Sequence, residues 1–371
     1  MSTFRILHVE SSRGAGGQEI RTLLEAQTMS GRGHAVMIAA QPNSFLARQA
    51  KENGLSTITI RMNWLLSGLL FFSFIRIIKK YRIQIVVTHG SIDSWLASLA
   101  GRMSFMQPRV VRTRHKSTPV SPTRRHALLY RVLPHGVMTT CEKIRKDLIA
   151  NQGLDPSRVI SIPTGVDLEV FSLSQVQGDF RAEIGVDHST CLIGTVAFLR
   201  SYKGIHVCLD AIRDLHREFP HILFIVVGDG PQSHFLKEKV KVLGIENIIR
   251  FMGFRKDIST ILASLDIFIM GSLDGEGVPQ ALIQAMAMEV PVVATFAGGI
   301  PEVLAHEETG FLVPPNDSEA LKKHIDLLVR NPSLRSEMGK KGRELVVEKF
   351  SLQGMAERVE QWYSQIIPQV S

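Results

Sequence analysis

The chain has little from which to build a metal centre or a disulfide framework. Cysteine occurs only at Cys141, Cys191 and Cys208 in 371 residues. The number is odd, no pair has CxxC spacing, and none stands at ligand spacing from a histidine pair, so the three read as buried structural thiols of a reducing compartment. No Asp-x-Asp pair or His/Cys cluster is present to hold a divalent cation, so metal independence is expected. Long apolar runs are missing too. The longest, Trp64 to Ile75, has 12 residues, against the roughly 20 that a helical membrane span needs. The first apolar stretch, Phe4 to Val9, reads as a strand and not as a secretory leader, so a cytoplasmic location is expected. Carboxylates vanish between Asp93 and Glu142, where eight Lys or Arg residues lie. A positive surface follows there, suited to nucleic acid, anionic lipid or phosphorylated substrates.

At about 150 residues per domain, the length predicts two domains. Hydrophobic residues at 44% and charged residues at 21% match globular averages and argue against disorder or a coiled coil. Strand-like runs at Ile6–Val9, Ala35–Ala40, Ile83–Thr88, Val110–Thr113, Val137–Thr140 and Val159–Ile162 alternate with helical segments. The rhythm restarts at Cys191–Val196, Ile222–Val227, Ile248–Met252, Ile267–Met270 and Val292–Thr295. Alternation of this kind builds parallel sheets with crossover helices. Two Rossmann-like, doubly wound α/β domains are predicted, with the boundary just past Ile162-Pro163-Thr164-Gly165 and a ligand cleft where strand ends face each other.

Three loops carry candidate chemistry. Gly14-Ala15-Gly16-Gly17 follows the first strand and opens a helix, so its amides can approach an anion. It fails as a dinucleotide fingerprint because Glu19 stands where the third glycine belongs, and no Lys-Ser/Thr pair makes it a P-loop. Gly194 to Gly204 places Arg200 and Lys203 just past a strand end, where they would clamp a diphosphate; a solvated basic turn is the alternative. Gly228-Asp229-Gly230-Pro231 closes a very apolar strand at the ligand-gathering edge of the sheet.

The stretch Gly271-Ser272-Leu273-Asp274-Gly275-Glu276-Gly277-Val278-Pro279-Gln280-Ala281-Leu282-Ile283-Gln284 continues to Pro291–Thr295 and Gly298-Gly299-Ile300-Pro301-Glu302. Together these segments resemble the donor-site signature of the retaining GT-B glycosyltransferases of family 4, and the resemblance covers nearly the whole chain. A helix starting near Val278 would put Glu276 at its mouth and Gln284 two turns along. The resemblance implies a GT-B fold with an acceptor-side domain over residues 1–167 and a donor domain over 168–351, the last helix, 352–371, crossing back onto the first domain. It implies that Glu276 holds sugar hydroxyls and Gln284 the ribose diol. Arg200 and Lys203 would meet the diphosphate, with Gly228, Gly230, Gly277 and Val278 lining the donor site. His115, within Arg112-Thr113-Arg114-His115-Lys116, would contact the sugar, and Gly16 and Gly17 would shape the acceptor-side loop.

Two positions depart from the family pattern. Gln284 replaces the usual glutamate; it still offers a carbonyl acceptor but loses a charge-assisted bond, which implies reduced activity or an altered donor. Phe198 occupies the usual arginine position, and Arg200 lies two residues on. The expected activity is transfer from a UDP- or GDP-type nucleotide sugar, without cofactor or metal, to a lipopolysaccharide or other surface-glycan acceptor, free or lipid-linked. Residues Trp64 to Arg82 combine apolar side chains with Lys79, Lys80 and Arg82, and two readings stay open: a face lying on an anionic membrane, or a helix packed on the sheet. A degenerate GT-B protein and a basic nucleic-acid-binding protein are the rivals; no helix-turn-helix, zinc or aromatic RNA-binding signature supports the latter.

Overall fold

The computed structural model describes residues 3–63, 65 and 67–367. Trp64, Leu66 and the 368–371 end of the last helix, all included in the sequence expectations, lie outside the described residues. The chain divides into two compact units, Met1–Thr164 with Leu352–Ser371, and Gly165–Ser351.

The first unit holds seven parallel strands: β1 (Arg5–Glu10), β2 (Ala35–Ala40), β3 (Ser56–Thr59), β4 (Ile85–Thr88), β5 (Arg109–Arg114), β6 (Gly136–Thr139) and β7 (Val159–Ser161). Their spatial order is β3-β2-β1-β4-β5-β6-β7. Strands covered on both faces carry near-continuous apolar runs. In β1 the alternating side chains divide, Ile6 entering one core layer and Leu7 and Val9 the other. The edge strand β3, Ser-Thr-Ile-Thr, was not foreseen; it is short and half polar, as an edge permits.

The helix Leu352–Ile366 belongs to this unit and buries Leu352, Met355, Ala356, Val359, Trp362 and Tyr363, a spacing of three and four that makes one apolar stripe. A Cβ at Gly136 would lie 2.6 Å from the Trp362 ring, so glycine there lets the helix seat. Arg32 forks onto Glu360 through two 2.7 Å bonds. In the helix Ser67–Tyr81, Leu70, Phe74 and Ile78 are buried at four-residue spacing, while Leu69 and Phe72 are about 70% exposed. Core packing accounts for one stripe of that helix and leaves the other uncovered.

The second unit has six parallel strands: β8 (Cys191–Val196), β9 (Ile222–Val227), β10 (Ile249–Gly253), β11 (Ile267–Met270), β12 (Val292–Thr295) and β13 (Gly310–Val313), in the order β10-β9-β8-β11-β12-β13. The four-residue β13 also went unforeseen. In each sheet the winding reverses at one place, between β1 and β4 and between β8 and β11. Loops leaving the carboxyl ends of strands diverge at such a reversal and open a crevice, which is where ligands bind in doubly wound sheets. Among the described residues no helix is long and apolar enough to cross a membrane.

Candidate functional site

At the reversal in the second unit, the loop after β8 meets the loop after β11. Lys203 Nζ lies 2.5 Å from Glu276 Oε1, and Ser272 Oγ donates to the same oxygen at 2.7 Å. Glu276 is 6% exposed. Both contacts fall on Oε1, so Oε2 carries no hydrogen bond among the described residues. Ser272 is fully buried, and its carbonyl accepts from the Thr295 hydroxyl, tying the end of β12 to the same turn.

Close backbone approach builds this corner. Gly204, at φ +61°, would place a Cβ 1.8 Å from the Gly271 carbonyl oxygen. Gly298, at φ +55°, would place one 2.1 Å from the Glu276 carbonyl oxygen, and the Gly299 amide donates to that oxygen. Gly228 and Gly230 press against Ala197 and Leu199. Their amides are already engaged, Gly228 by Gly253 and Gly230 by Asp229, so these two glycines fix the loop that carries Arg200.

The helix expected from Val278 runs instead over Gln280–Ala287. Val278 precedes Pro279, and a residue before proline is driven out of the helical region; Pro279 itself is extended and leaves the N-terminus without a side-chain cap. Gln284, half-buried, therefore lies about one turn into the helix, not two. Gly277 is half-buried and Val278 buried in the preceding turn. Arg200 is exposed, with its guanidinium 5.1 Å from the Phe198 ring centroid, so the displaced arginine rests on the residue at the usual arginine position. Gln280, passed over in the sequence, has a buried Oε1 with no hydrogen-bond partner among the described residues.

In the first unit Gly16 and Gly17 stand at the start of the helix Gly17–Gly31, beside the reversal between β1 and β4. The Gly16 amide donates to Glu19 Oε2 at 2.8 Å, so the residue in the third-glycine position caps the helix. His115 follows β5, and its Nε2 lies 3.1 Å from His89 Nδ1. Burial first, then Arg21, Arg114 and Lys116, push His115 down to about 3, so it is neutral at physiological pH.

Residues 15–170 match the family described as Glycosyltransferase Family 4, and residues 176–345 the family described as Glycosyl transferases group 1. The chain belongs to these glycosyltransferases. An Escherichia coli relative, UDP-Gal:alpha-D-GlcNAc-diphosphoundecaprenol alpha-1,3-galactosyltransferase, is 26% identical over 309 residues, covering 80% of this chain and 79% of that protein. The chain spans between about a third and about a half of the length of the first curated relatives it matches. A Rickettsia africae glycosyltransferase structure superposes with a TM-score of 0.89 at 24% identity over the full length of both chains. HepE of Anabaena, solved with UDP and glucose, gives 0.86 at 20% identity over 98% of this chain and 100% of HepE. The fold of this glycosyltransferase is GT-B, two Rossmann-like domains.

A carboxyl pair under the glycine loop of this glycosyltransferase escaped the sequence. Glu10 ends β1 fully buried, accepting from Gln18 Nε2 at 2.6 Å and the Ser12 amide at 2.8 Å. Asp93, equally buried, accepts from Ser11 Oγ and the amides of His89 and Gly90. Burial and the neighbouring Asp93 push Glu10 up to about 8. The only signal was a carboxylate closing a strand whose other residues include Ile6, Leu7 and Val9. Because the folded pKa lies above the unfolded value, the native state holds a proton that the unfolded chain releases. Stability therefore declines as pH rises from about 4.5 to 8, each pKa unit being worth about 1.4 kcal/mol. Glu10→Gln keeps an acceptor and removes the titration. Urea midpoints at pH 6 and pH 8.5 should differ less in this variant than in the native protein; an equal difference would refute the assignment.

Proposed function

We propose that this protein is a retaining glycosyltransferase that moves a sugar from a UDP-sugar to a bacterial surface-glycan acceptor, without a metal ion. The observation that carries this reading is the pair of half-buried Lys203 and buried Glu276 at the reversal between β8 and β11, beside a helix whose first amides have no side-chain cap. A carboxylate there accepts from sugar hydroxyls. Uncapped amides and a lysine attract a diphosphate. Donor entry draws Lys203 from Glu276 Oε1 to a phosphate oxygen, freeing the carboxylate for hydroxyls; Arg200 adds a second cation, and Gln284 hydrogen-bonds the ribose diol. His115 contacts the transferred sugar.

Retention requires the acceptor hydroxyl to attack from the face that the diphosphate leaves. The leaving group itself is well placed to take the hydroxyl proton, and Lys203 and Arg200 meet the charge that grows on it. The protein acts by positioning and neutralisation, without the second carboxylate of a glycosidase.

UDP is favoured over GDP because HepE was solved with UDP and glucose and the E. coli relative is named for UDP-Gal. The same relative's name, with its diphosphoundecaprenol acceptor, supports a lipid-linked glycan here. Thermal unfolding with UDP, GDP, ADP and their sugar conjugates, with and without EDTA, tests donor class and metal independence together. The UDP series should stabilise the protein by about 2.7 kcal/mol at a hundred times Kd, unchanged by EDTA. No shift with any nucleotide at millimolar concentration overturns the reading, and loss of the shift in EDTA overturns metal independence.

An anionic membrane surface is the proposed site of action, on the inner face of the inner membrane. Leu69 and Phe72 on the helix Ser67–Tyr81, with Met103 at the end of the helix Ser91–Met103 it packs against and Phe105 just past it, are 63% exposed or more, and Lys79 and Lys80 follow on the first of these helices. Co-sedimentation with phosphatidylglycerol vesicles, weakened by salt, is expected; equal binding to neutral vesicles would count against the electrostatic part.

A further inference from the structure

His115 is the outer end of a chain of three histidines. His8, in the middle of β1, presents Nδ1 to His89 Nε2 at 3.1 Å, and His89 Nδ1 meets His115 Nε2 at 3.1 Å. Neighbouring ring centroids are 5.4 Å apart in both steps. His8 is completely buried and His89 is 5% exposed. The strand order makes the chain: β4 lies between β1 and β5, so His8 within β1 falls in line with the residues just past the carboxyl ends of β4 and β5.

The chain has a direction. A neutral imidazole has one N–H and one lone pair, so once the direction is set at one ring the others follow. All three rings are held below the usual histidine range, burial being the largest cause at each, with Arg21 adding to it at every ring, and Arg114 and Lys116 at His115. Glu25, salt-bridged to Arg21, is the carboxylate that opposes this at His8. His8 Nε2 is buried with no hydrogen-bond partner among the described residues. A stranded N–H costs more than a stranded lone pair. His8 therefore carries its proton on Nδ1 and donates to His89 Nε2, and His89 donates from Nδ1 to His115 Nε2. His115 is left with its proton on Nδ1.

We infer that His8 and His89 are positioning residues that lock His115 in its Nδ1–H tautomer, so that His115 serves the transfer as a neutral hydrogen-bond donor and not as a base. With Nε2 already accepting and Nδ1 already protonated, the ring has no lone pair to take a proton from an acceptor hydroxyl. It can donate to a sugar oxygen, where a neutral donor discriminates by position without adding a cation. This rests on the proposed contact between His115 and the sugar, but the tautomer is measurable without it.

Two-bond ¹H–¹⁵N correlation spectra of the full-length, ¹⁵N-histidine-labelled protein report each ring's tautomer. The His115 signals are those missing from the His115→Gln spectrum. At pH 7 His115 should show a protonated Nδ1 and an unprotonated Nε2; the opposite pattern, or rapid exchange between the two, overturns the lock. His89→Phe should release His115 to the Nε2–H form that prevails in water and lower kcat more than tenfold. His89→Asn, whose amide nitrogen can take the place of Nδ1, should restore the tautomer and most of the rate. An unchanged His115 tautomer in His89→Phe refutes the positioning role. If the native tautomer is as inferred and His115→Gln turns over normally, the lock stands and the sugar contact falls.

Discussion

Glu276→Ala should lower kcat/KM for the nucleotide sugar by a factor on the order of 10² to 10³, or about 3–4 kcal/mol of transition-state stabilisation. The carboxylate is 6% exposed, stands just before the Gln280–Ala287 helix and holds Lys203 at Oε1, the contact that a sugar hydroxyl would replace on the proposed reading. Lys203→Ala should lose a similar factor, with a different signature. It leaves a mostly buried carboxylate with Ser272 as its hydrogen-bond donor, and stranding one member of a buried pair is strongly destabilising. The urea midpoint should therefore fall in Lys203→Ala and recover in the Lys203→Ala/Glu276→Ala double variant, while activity stays lost in both. Steady-state kinetics with equilibrium unfolding on the three variants separates the roles. Near-normal turnover in either single variant would remove the pair from the site.

Gly204→Ala should be the most damaging small substitution in the second unit. The added methyl would stand 1.8 Å from the Gly271 carbonyl oxygen, and residue 204 sits at φ +61°. Left-handed backbone costs a non-glycine residue about 1 kcal/mol, and overpacking against backbone adds roughly 1–3 more. Relief requires the β8 and β11 loops to part, which separates Lys203 from Glu276. Destabilisation of about 2–4 kcal/mol is expected, together with loss of stabilisation by UDP. Gly244→Ala provides the control: its φ is +66°, but no atom lies within 4 Å of the added methyl, so it should cost only the backbone strain and leave nucleotide binding intact. Equal effects of the two substitutions would show that contact between the loops does not hold the site together.

Strand-by-strand legibility depended on burial. Strands such as β9, Ile-Leu-Phe-Ile-Val-Val, are covered on both faces, so their composition alone marks them. The edge strand β3 and the short β13 are not so marked, and pairing with a neighbour defines them. The helix after Pro279 began late because proline acts on its predecessor, an effect present in the sequence that the expectation of a helix from Val278 did not apply. The glycine loop was read as open to an anion, yet Glu19 occupies one of its amides.

Taken alone, the amino-acid sequence determined two doubly wound lobes, the family resemblance carried by Gly271 to Gln284, and the concentration of positive charge between Asp93 and Glu142. These are local or compositional properties, written in residue order. The tertiary structure decided what meets what. Lys203 and Glu276 are 73 positions apart and are joined because the winding reverses between β8 and β11. His8, His89 and His115 form one chain because β4 lies between β1 and β5. Glu10 keeps its proton because folding buries it beside Asp93. Hydrogen bonding and titration depend on distances of a few ångströms between residues far apart in the chain, and strand order sets those distances.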